Sequence, residues 1–407
     1  MFTKTAKEAP KDEVAKNAQL LERAGFIYKN SSGIYSYLPL GWRVIQKIAG
    51  VIKDEMNALG AQEIFMPALV EKKYMEATGR WDVDISIEAK ARGEDEANFV
   101  LGWSHEDILT AMAGKFINSY KDFPFSVYQI QTKFRHEARA KSGLLRGREF
   151  LMKDLYSFHA SESDFAHFYE EAKAAYFRIF ERCGLKAIYT LAGGGVFTAE
   201  NTNEFQVIAP IGEDTIYMCD KCEYAENKEV ASLKDGSKCL KCGGKVKEEK
   251  SIEVGNIFPL GSKYSEALNL KYADESGEKK HVIMGSYGIG LGRLMGTAVE
   301  VHNDKDGIIW PKNIAPFAMH LISLGEEAKE KADEIYETLN KDKVDVFYDD
   351  RADKTAGEKF ADADLIGIPL RVVVSKKTME KDSVEIKKRG SNEAELVKID
   401  KILDYAG

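Results

Sequence analysis

Residues 127–159 read VYQIQTKFRHEARAKSGLLRGREFLMKDLYSFH. VYQIQTKFR (127–135) is strand-like, a polar glycine-containing stretch runs to Gly147, and REFLMKDLYSFH (148–159) mixes apolar residues into a second strand. The pattern predicts a hairpin with a long basic loop. Residues 131–153 hold seven cations (Lys133, Arg135, Arg139, Lys141, Arg146, Arg148 and Lys153) against two acids, Glu137 and Glu149. A local +5 within a chain of net charge −8 points to a polyanion such as a nucleotide triphosphate or RNA. Charge alone leaves a solvated loop equally open. Arg135 weighs against that reading, because an arginine ending an apolar strand needs an anionic partner.

Outward from the hairpin, residues 11–24, 42–59, 106–119 and 162–182 carry helical spacing, and EIFMP (63–67) and 99–101 read as short strands. Further strand-like pieces fall at 187–191, 204–209 and 214–218. Clustered strands predict an antiparallel sheet with flanking helices. After WPKNIAPF (310–317), strands and helices alternate as MHLISL, 325–340, VDVFYD, 355–366 and LRVVVS, an α/β domain. The 407 residues are 44% hydrophobic and 30% charged, which excludes a disordered or rod-like chain. No run nears the ~18 apolar residues of a membrane span. The charged start MFTKTAKEAPKDEVAK has no apolar core of a secretory signal, so a cytoplasmic protein without membrane contact is expected.

Two other segments bear on chemistry. GSYGIGLGR (285–293) places four glycines in nine residues ahead of Arg293, which lets a ligand approach the backbone; tight helix–strand packing explains such a turn as well. Cys219-x2-Cys222 and Cys239-x2-Cys242, sixteen residues apart, fit a structural four-thiolate zinc site. That lysine-rich segment has few large apolar residues and needs a metal to fold. Cys183 stands apart and reads as a buried apolar residue.

The segment FRHE (134–137), the basic loop and RGREFLMKD (146–154) resemble motif 2 of class II aminoacyl-tRNA synthetases. GIGLGR resembles motif 3, and helix 42–59 with EIFMP resembles motif 1. GIYSYLPLG (33–41), NEFQVIAPIGED (203–214), GIIWPKNIAPF (307–317) and DDRADKTAGEKFADADLIGIPLR (349–371) extend the likeness, which is nearest to bacterial-type prolyl-tRNA synthetases. The resemblance implies an α+β class II core (1–212 and 251–312), a zinc-ribbon-like insert (213–250) and a C-terminal α/β anticodon-binding domain (316–407). It implies a homodimer that uses ATP with Mg²⁺ to activate L-proline and then charges tRNA(Pro).

By the same resemblance Arg135 bridges the α-phosphate and the proline carboxylate, and Arg293 holds the γ-phosphate. Phe150 stacks on adenine, with Glu137 and Arg146 in the same pocket. Ser104, Glu106, Arg135, Tyr156 and Phe205 form the proline pocket. Trp103 departs from the family, which usually has proline there; Ser104 stands for its threonine, and Asn203 and Asn256 stand where histidine is common. Arg351, Glu358, Lys359 and Asp364 are the anticodon candidates, in a segment (317–407) with 16 Lys/Arg and 21 Asp/Glu, so recognition cannot rest on bulk charge. About 40 residues occupy the place of the family's large editing insertion. No editing in cis is expected, so some alanine mischarging should follow. Another class IIa synthetase, such as threonyl or glycyl, and a non-catalytic paralogue are the competing readings; the retained arginines weigh against the paralogue.

Overall fold

The computed structural model describes residues 2–11, 13–138 and 140–405; Arg139 of the basic loop lies outside them. The chain divides into two compact units. One holds the chain up to Tyr28, Ser36–Lys47 and everything from Ala298; the other holds Lys29–Tyr35 and Ile48–Thr297. The N-terminal arm and the segment before the last domain pack with that domain: Thr5 Oγ1 donates to Asp362 Oδ1 at 2.6 Å, and Trp310 Nε1 to the Ile366 carbonyl at 3.0 Å.

The larger unit is built on a nine-stranded sheet. Its strands are β1 (Gln62–Glu63), β2 (Phe125–Phe134), β3 (Glu149–His159), β4 (Ile188–Ala192), β5 (Thr202–Ile208), β6 (Asp214–Cys219), β7 (Ala225–Asn227), β8 (Val246–Gly261) and β9 (Ile283–Gly290). The order is β5-β4-β7-β6-β8-β9-β3-β2-β1, with β5 also pairing β8. All pairs are antiparallel except β7 with β4 and β1 with β2. The hairpin is present, with β2 and β3 in register from Phe125↔Phe158 to Phe134↔Glu149.

Side chains alternate across each strand, so register decides which residues share a face. Glu204, Asn256, Gly288, Asp154 and Gln129 form one row across five strands. Arg135, Lys133, Phe150, Met152 and Tyr156 have the parity of this face. Lys153, Tyr287 and Phe205 have the opposite parity, the one covered by helix Glu162–Arg182. The insert is not a separate body. β6 and β8 pair continuously from Asp214↔Ser251 to Cys219↔Val246, so the ribbon is an extension of the main sheet.

The C-terminal sheet has strands β10 (Met319–Leu324), β11 (Val346–Asp349), β12 (Leu370–Ser375), β13 (Ser383–Lys388) and β14 (Ala394–Lys398), in the order β11-β10-β12-β13-β14. The alternating pattern read from sequence supplies the first three, which are parallel; β13 and β14 add an antiparallel edge. No helix among the described residues is long and apolar enough to cross a membrane.

Candidate active site

A cavity of about 500 Å³, counted to its open mouth, lies on the polar-lined face of the nine-stranded sheet. Arg135, Glu137, Arg146, Phe150 and Arg293, all named from sequence, line it together with Met152, Glu253, Asn256, Gly288 and Gly290. The glycines keep its floor low: a Cβ on Gly288 would lie 2.8 Å from Asn256 Oδ1. Arg135 leaves the end of β2, its backbone N–H bonded to the Arg148 carbonyl at 2.9 Å. Its guanidinium sits 5.2 Å from the Phe150 ring centroid, and its Nε is buried without a partner. Burial, then the nearby Arg293 charge, push its pKa down to about 10.

Arg293 is held more firmly. Its Nε donates to the Leu145 carbonyl at 2.9 Å, and Nη1 to Glu253 Oε2 at 2.8 Å. Burial opposes its charge, but the Glu253 carboxylate prevails and raises its pKa. Asn256 Nδ2 donates to the other Glu253 oxygen at 2.8 Å. Arg146 pairs with Glu213 at 3.0 Å and lies 3.7 Å from Glu137. Beside Glu253, burial followed by the Glu253 and Asp214 charges raises Glu204 to about 8.

A second cluster surrounds Glu106, the first residue of helix Glu106–Ala113. Its carboxylate accepts from the Ser104 hydroxyl, from Ser286 Oγ at 2.8 Å and from Arg80 Nη1 at 3.0 Å. Behind it runs a buried network. Lys133 Nζ is 2.8 Å from Asp154 Oδ1 and 2.8 Å from His105 Nδ1. An ammonium only donates, so Nδ1 accepts, and the His105 proton sits on Nε2, facing the Pro67 carbonyl at 3.0 Å. Burial and the Lys133 charge lower His105 to about 4, which keeps the ring neutral. Tyr156 takes part here: its hydroxyl donates to Asp154 Oδ2 at 2.7 Å and accepts from the His105 backbone N–H at 3.1 Å.

Phe205 is not brought to this site. It is fully buried on the other face, ringed by Tyr176, Phe177, Phe180 and Tyr189 at 5.1–5.4 Å. Parity is the reason: Glu204 and Phe205 are adjacent on β5, and Glu204 faces Asn256. The anticodon candidates are all engaged within their own unit. Arg351 is paired with Asp349 at 2.6 Å and Asp362 at 2.8 Å, yet stays 40% exposed. Glu358 closes the capping box of helix Ala356–Ile366 with Thr355. Asp364 lies 3.4 Å from Arg371. Lys359 is buried, and its ammonium is committed to the Ser323 carbonyl at 2.8 Å, so it is not offered to a ligand.

The four cysteine sulfurs lie within 4.8 Å of one another. A tetrahedral site with Zn–S near 2.3 Å needs sulfurs about 3.8 Å apart; the Cys219–Cys242 and Cys222–Cys239 separations are 3.4 and 3.7 Å. The backbone N–H of Lys221 faces Cys219 Sγ, and that of Lys241 faces Cys239 Sγ, both at 3.4 Å. N–H donors from Cys222 and Lys221 lower the Cys219 thiol to about 6, toward the thiolate a metal requires.

Reading residues singly missed Arg80, Lys133, Asp154, Glu253 and Ser286. The parity of Lys133 with Arg135, and of Asp154 with Phe150, carried a signal for two of them. Glu253 and Arg80 reach their partners only through pairings distant in sequence.

Residues 88–302 match the family model for the class II tRNA synthetase core domain of the G, H, P, S and T enzymes, and residues 314–406 match the anticodon binding domain. A proline–tRNA ligase of Geobacillus sp. (strain WCH70) is 34% identical over 555 aligned positions, covering 99% of this chain and 98% of that protein. The chain belongs to the prolyl-tRNA synthetase family. Membership makes it a ligase of the class II type. A Geobacillus kaustophilus proline–tRNA ligase is 33% identical over all of this chain and 98% of its own. The fold matches that of the prolyl-tRNA synthetase of Cryptosporidium parvum crystallised with L-proline and AMP, with TM-score 0.78 and 20% identity over 95% of this chain and 72% of that one. The same enzyme with halofuginone and AMPPNP gives 0.79 and 21%, over 95% of this chain and 75% of that one.

Proposed function

We propose that the protein activates L-proline with ATP to prolyl-adenylate and transfers it to the 3′ end of tRNA(Pro). The observation that carries this reading is Arg135. Its buried, unpartnered Nε opens onto a cavity shared with Arg293, and Glu106 is close enough to act on its charge. Among the described residues Arg135 forms no ion pair and Arg293 has one, with Glu253, so the two guanidiniums together call for an anion there. A bent triphosphate held by Arg135 and Arg293, with adenine against Phe150 beside Glu137 and Arg146, satisfies both. Arg135 then bridges the α-phosphate and the proline carboxylate, so that catalysis is positioning and charge stabilisation. Ser104 and Glu106 take the substrate's ammonium, with Tyr156 steadying their loop. The related enzyme holding L-proline and AMP together supports this choice of ligands.

Mg²⁺ neutralises the triphosphate when bound, and the oxygen donors of Glu253 and Asn256 suit a hard cation. One Zn²⁺ in the Cys219, Cys222, Cys239, Cys242 site staples the ribbon. Arg351 and Glu358 are the remaining exposed anticodon candidates. A cytoplasmic homodimer completes the reading; the apolar Phe65 side chain, 77% exposed on the EIFMP stretch, is available to a second copy. The 555 aligned positions exceed the 407 residues here by 148, so the Geobacillus relative has about that many positions without a counterpart, which supports the absence of an editing insertion.

ATP–pyrophosphate exchange with proline, alanine, threonine and glycine in turn tests the proposal. Proline-dependent exchange lost in Arg135→Ala is expected. Exchange with none of them refutes the enzyme reading and favours a non-catalytic paralogue.

A further inference from the structure

Glu106 and Asp107 are two adjacent carboxylates, 1% and 0% exposed. Two ionised acids so deep in a protein need compensation. Among the described residues, the cation in contact with them is Arg80, 2% exposed, whose Nη1 reaches Glu106 Oε2 at 3.0 Å and Asp107 Oδ2 at 2.7 Å. Arg80 follows helix Lys72–Ala77, far from either acid in sequence. Its guanidinium lies 3.9 Å from the Trp103 ring centroid, with the Phe197 and Tyr264 rings at 5.4 and 5.3 Å. Its Nε and Nη2 are buried without hydrogen-bond partners, so aromatic faces stand in for solvent.

The three groups in direct contact sum to −1 when both acids are ionised; burial raises the Asp107 pKa, and Lys263, Lys133 and Arg135 act on the cluster from farther off. A substrate ammonium restores neutrality. Hydrogen-bond capacity agrees. Glu106 Oε2 already accepts from Ser104 and Arg80, whereas Oε1 accepts from Ser286 and keeps one acceptor position open. We infer that Arg80, backed by Trp103, is the positioning residue that holds Glu106 ionised and aimed at the amino group of the amino-acid substrate. Trp103 thereby acquires a role where the family has proline: its ring covers the guanidinium. The inference rests on the reading of Glu106 as the ammonium partner.

The test is proline- and ATP-dependent pyrophosphate exchange by the full-length protein, comparing wild type with Arg80→Met and Arg80→Lys from about pH 6 to about pH 8.5. Around Glu106, Asp107, Lys133, Arg135, Lys263 and the neutral His105, Tyr156 and Tyr264 are unchanged in both variants. Removing Arg80 leaves burial as the dominant influence on Glu106, which raises its carboxyl pKa. In Arg80→Met the proline KM should therefore rise about tenfold or more at neutral pH, fall again as pH rises, and leave the ATP KM unchanged. Arg80→Lys keeps the charge but not the planar guanidinium over the Trp103 ring; it should give an intermediate proline KM with a flat pH profile and an unchanged ATP KM, and it carries the test if Arg80→Met fails to fold. Wild-type proline KM in either folded variant, equal losses for proline and ATP in either, or a proline KM raised equally at every pH in Arg80→Met would overturn the inference. Absence of proline-dependent exchange in the wild type would instead refute the functional reading beneath it.

Discussion

Asp154→Asn should destabilise the larger unit by about 3–5 kcal/mol, because it strands a buried ammonium. Lys133 and Asp154 are 0% and 5% exposed and 2.8 Å apart. At that separation and an effective dielectric near 20, their attraction is about 6 kcal/mol before the cost of desolvation. Gln129 Nε2 at 2.9 Å and the Tyr156 hydroxyl also donate to Asp154, so asparagine keeps the shape but not the charge. Asp154 has its pKa lowered: burial opposes this, and the Lys133 charge overcomes burial. Its stabilisation is thus present above the unfolded carboxyl pKa and lost as pH falls through the lower folded value. Burial already lowers Lys133, and losing Asp154 lowers it further. The penalty in the variant should therefore be full below the lowered folded pKa of Lys133, shrink as pH rises above it, and be gone above about 10, where the unfolded lysine also loses its proton. Urea unfolding, followed by amide exchange of residues 125–134 and 149–159, is the assay. With a slope of about 3 kcal/mol/M the midpoint should drop by roughly 1–1.7 M. Adding Lys133→Met should recover at least half of that. A loss below about 1 kcal/mol, or no recovery in the double variant, would refute the argument.

Purified protein should carry one zinc per chain by elemental analysis; Cys222→Ser should lose it and expose residues 219–246 to proteolysis, and full metal-free resistance would count against the staple. Phe205→Ala should cost about 3–5 kcal/mol by opening a cavity among aromatic side chains, while the proline KM of the folded fraction stays unchanged; a selective rise in that KM would return Phe205 to the pocket.

The site's main parts were legible because alternation carries face information along a strand. Once VYQIQTKFR and REFLMKDLYSFH pair as a hairpin, Arg135 and Phe150 share a face, and the loop between them keeps Glu137 and Arg146 nearby. The same rule was available for Phe205, but applying it requires knowing that Glu204 faces Asn256, a pairing 52 positions apart. Lys359 shows a different limit. A lysine in a charged stretch reads as surface, and only the packing of helix Ala356–Ile366 on the sheet turns it inward to the Ser323 carbonyl.

By itself the sequence determined the elements, the family and the chemistry on offer: a basic hairpin, a glycine-rich turn ending in Arg293, and four thiols at zinc spacing. These are local properties, set by propensity, periodicity and short spacing. The tertiary structure alone decided the charge balance of the site. It set Glu253 against Arg293, Lys133 against Asp154, and Arg80 against both Glu106 and Asp107. Each pairing joins residues at least 20 positions apart, and the worth of a charge depends on burial and on the partner that register and packing bring to it.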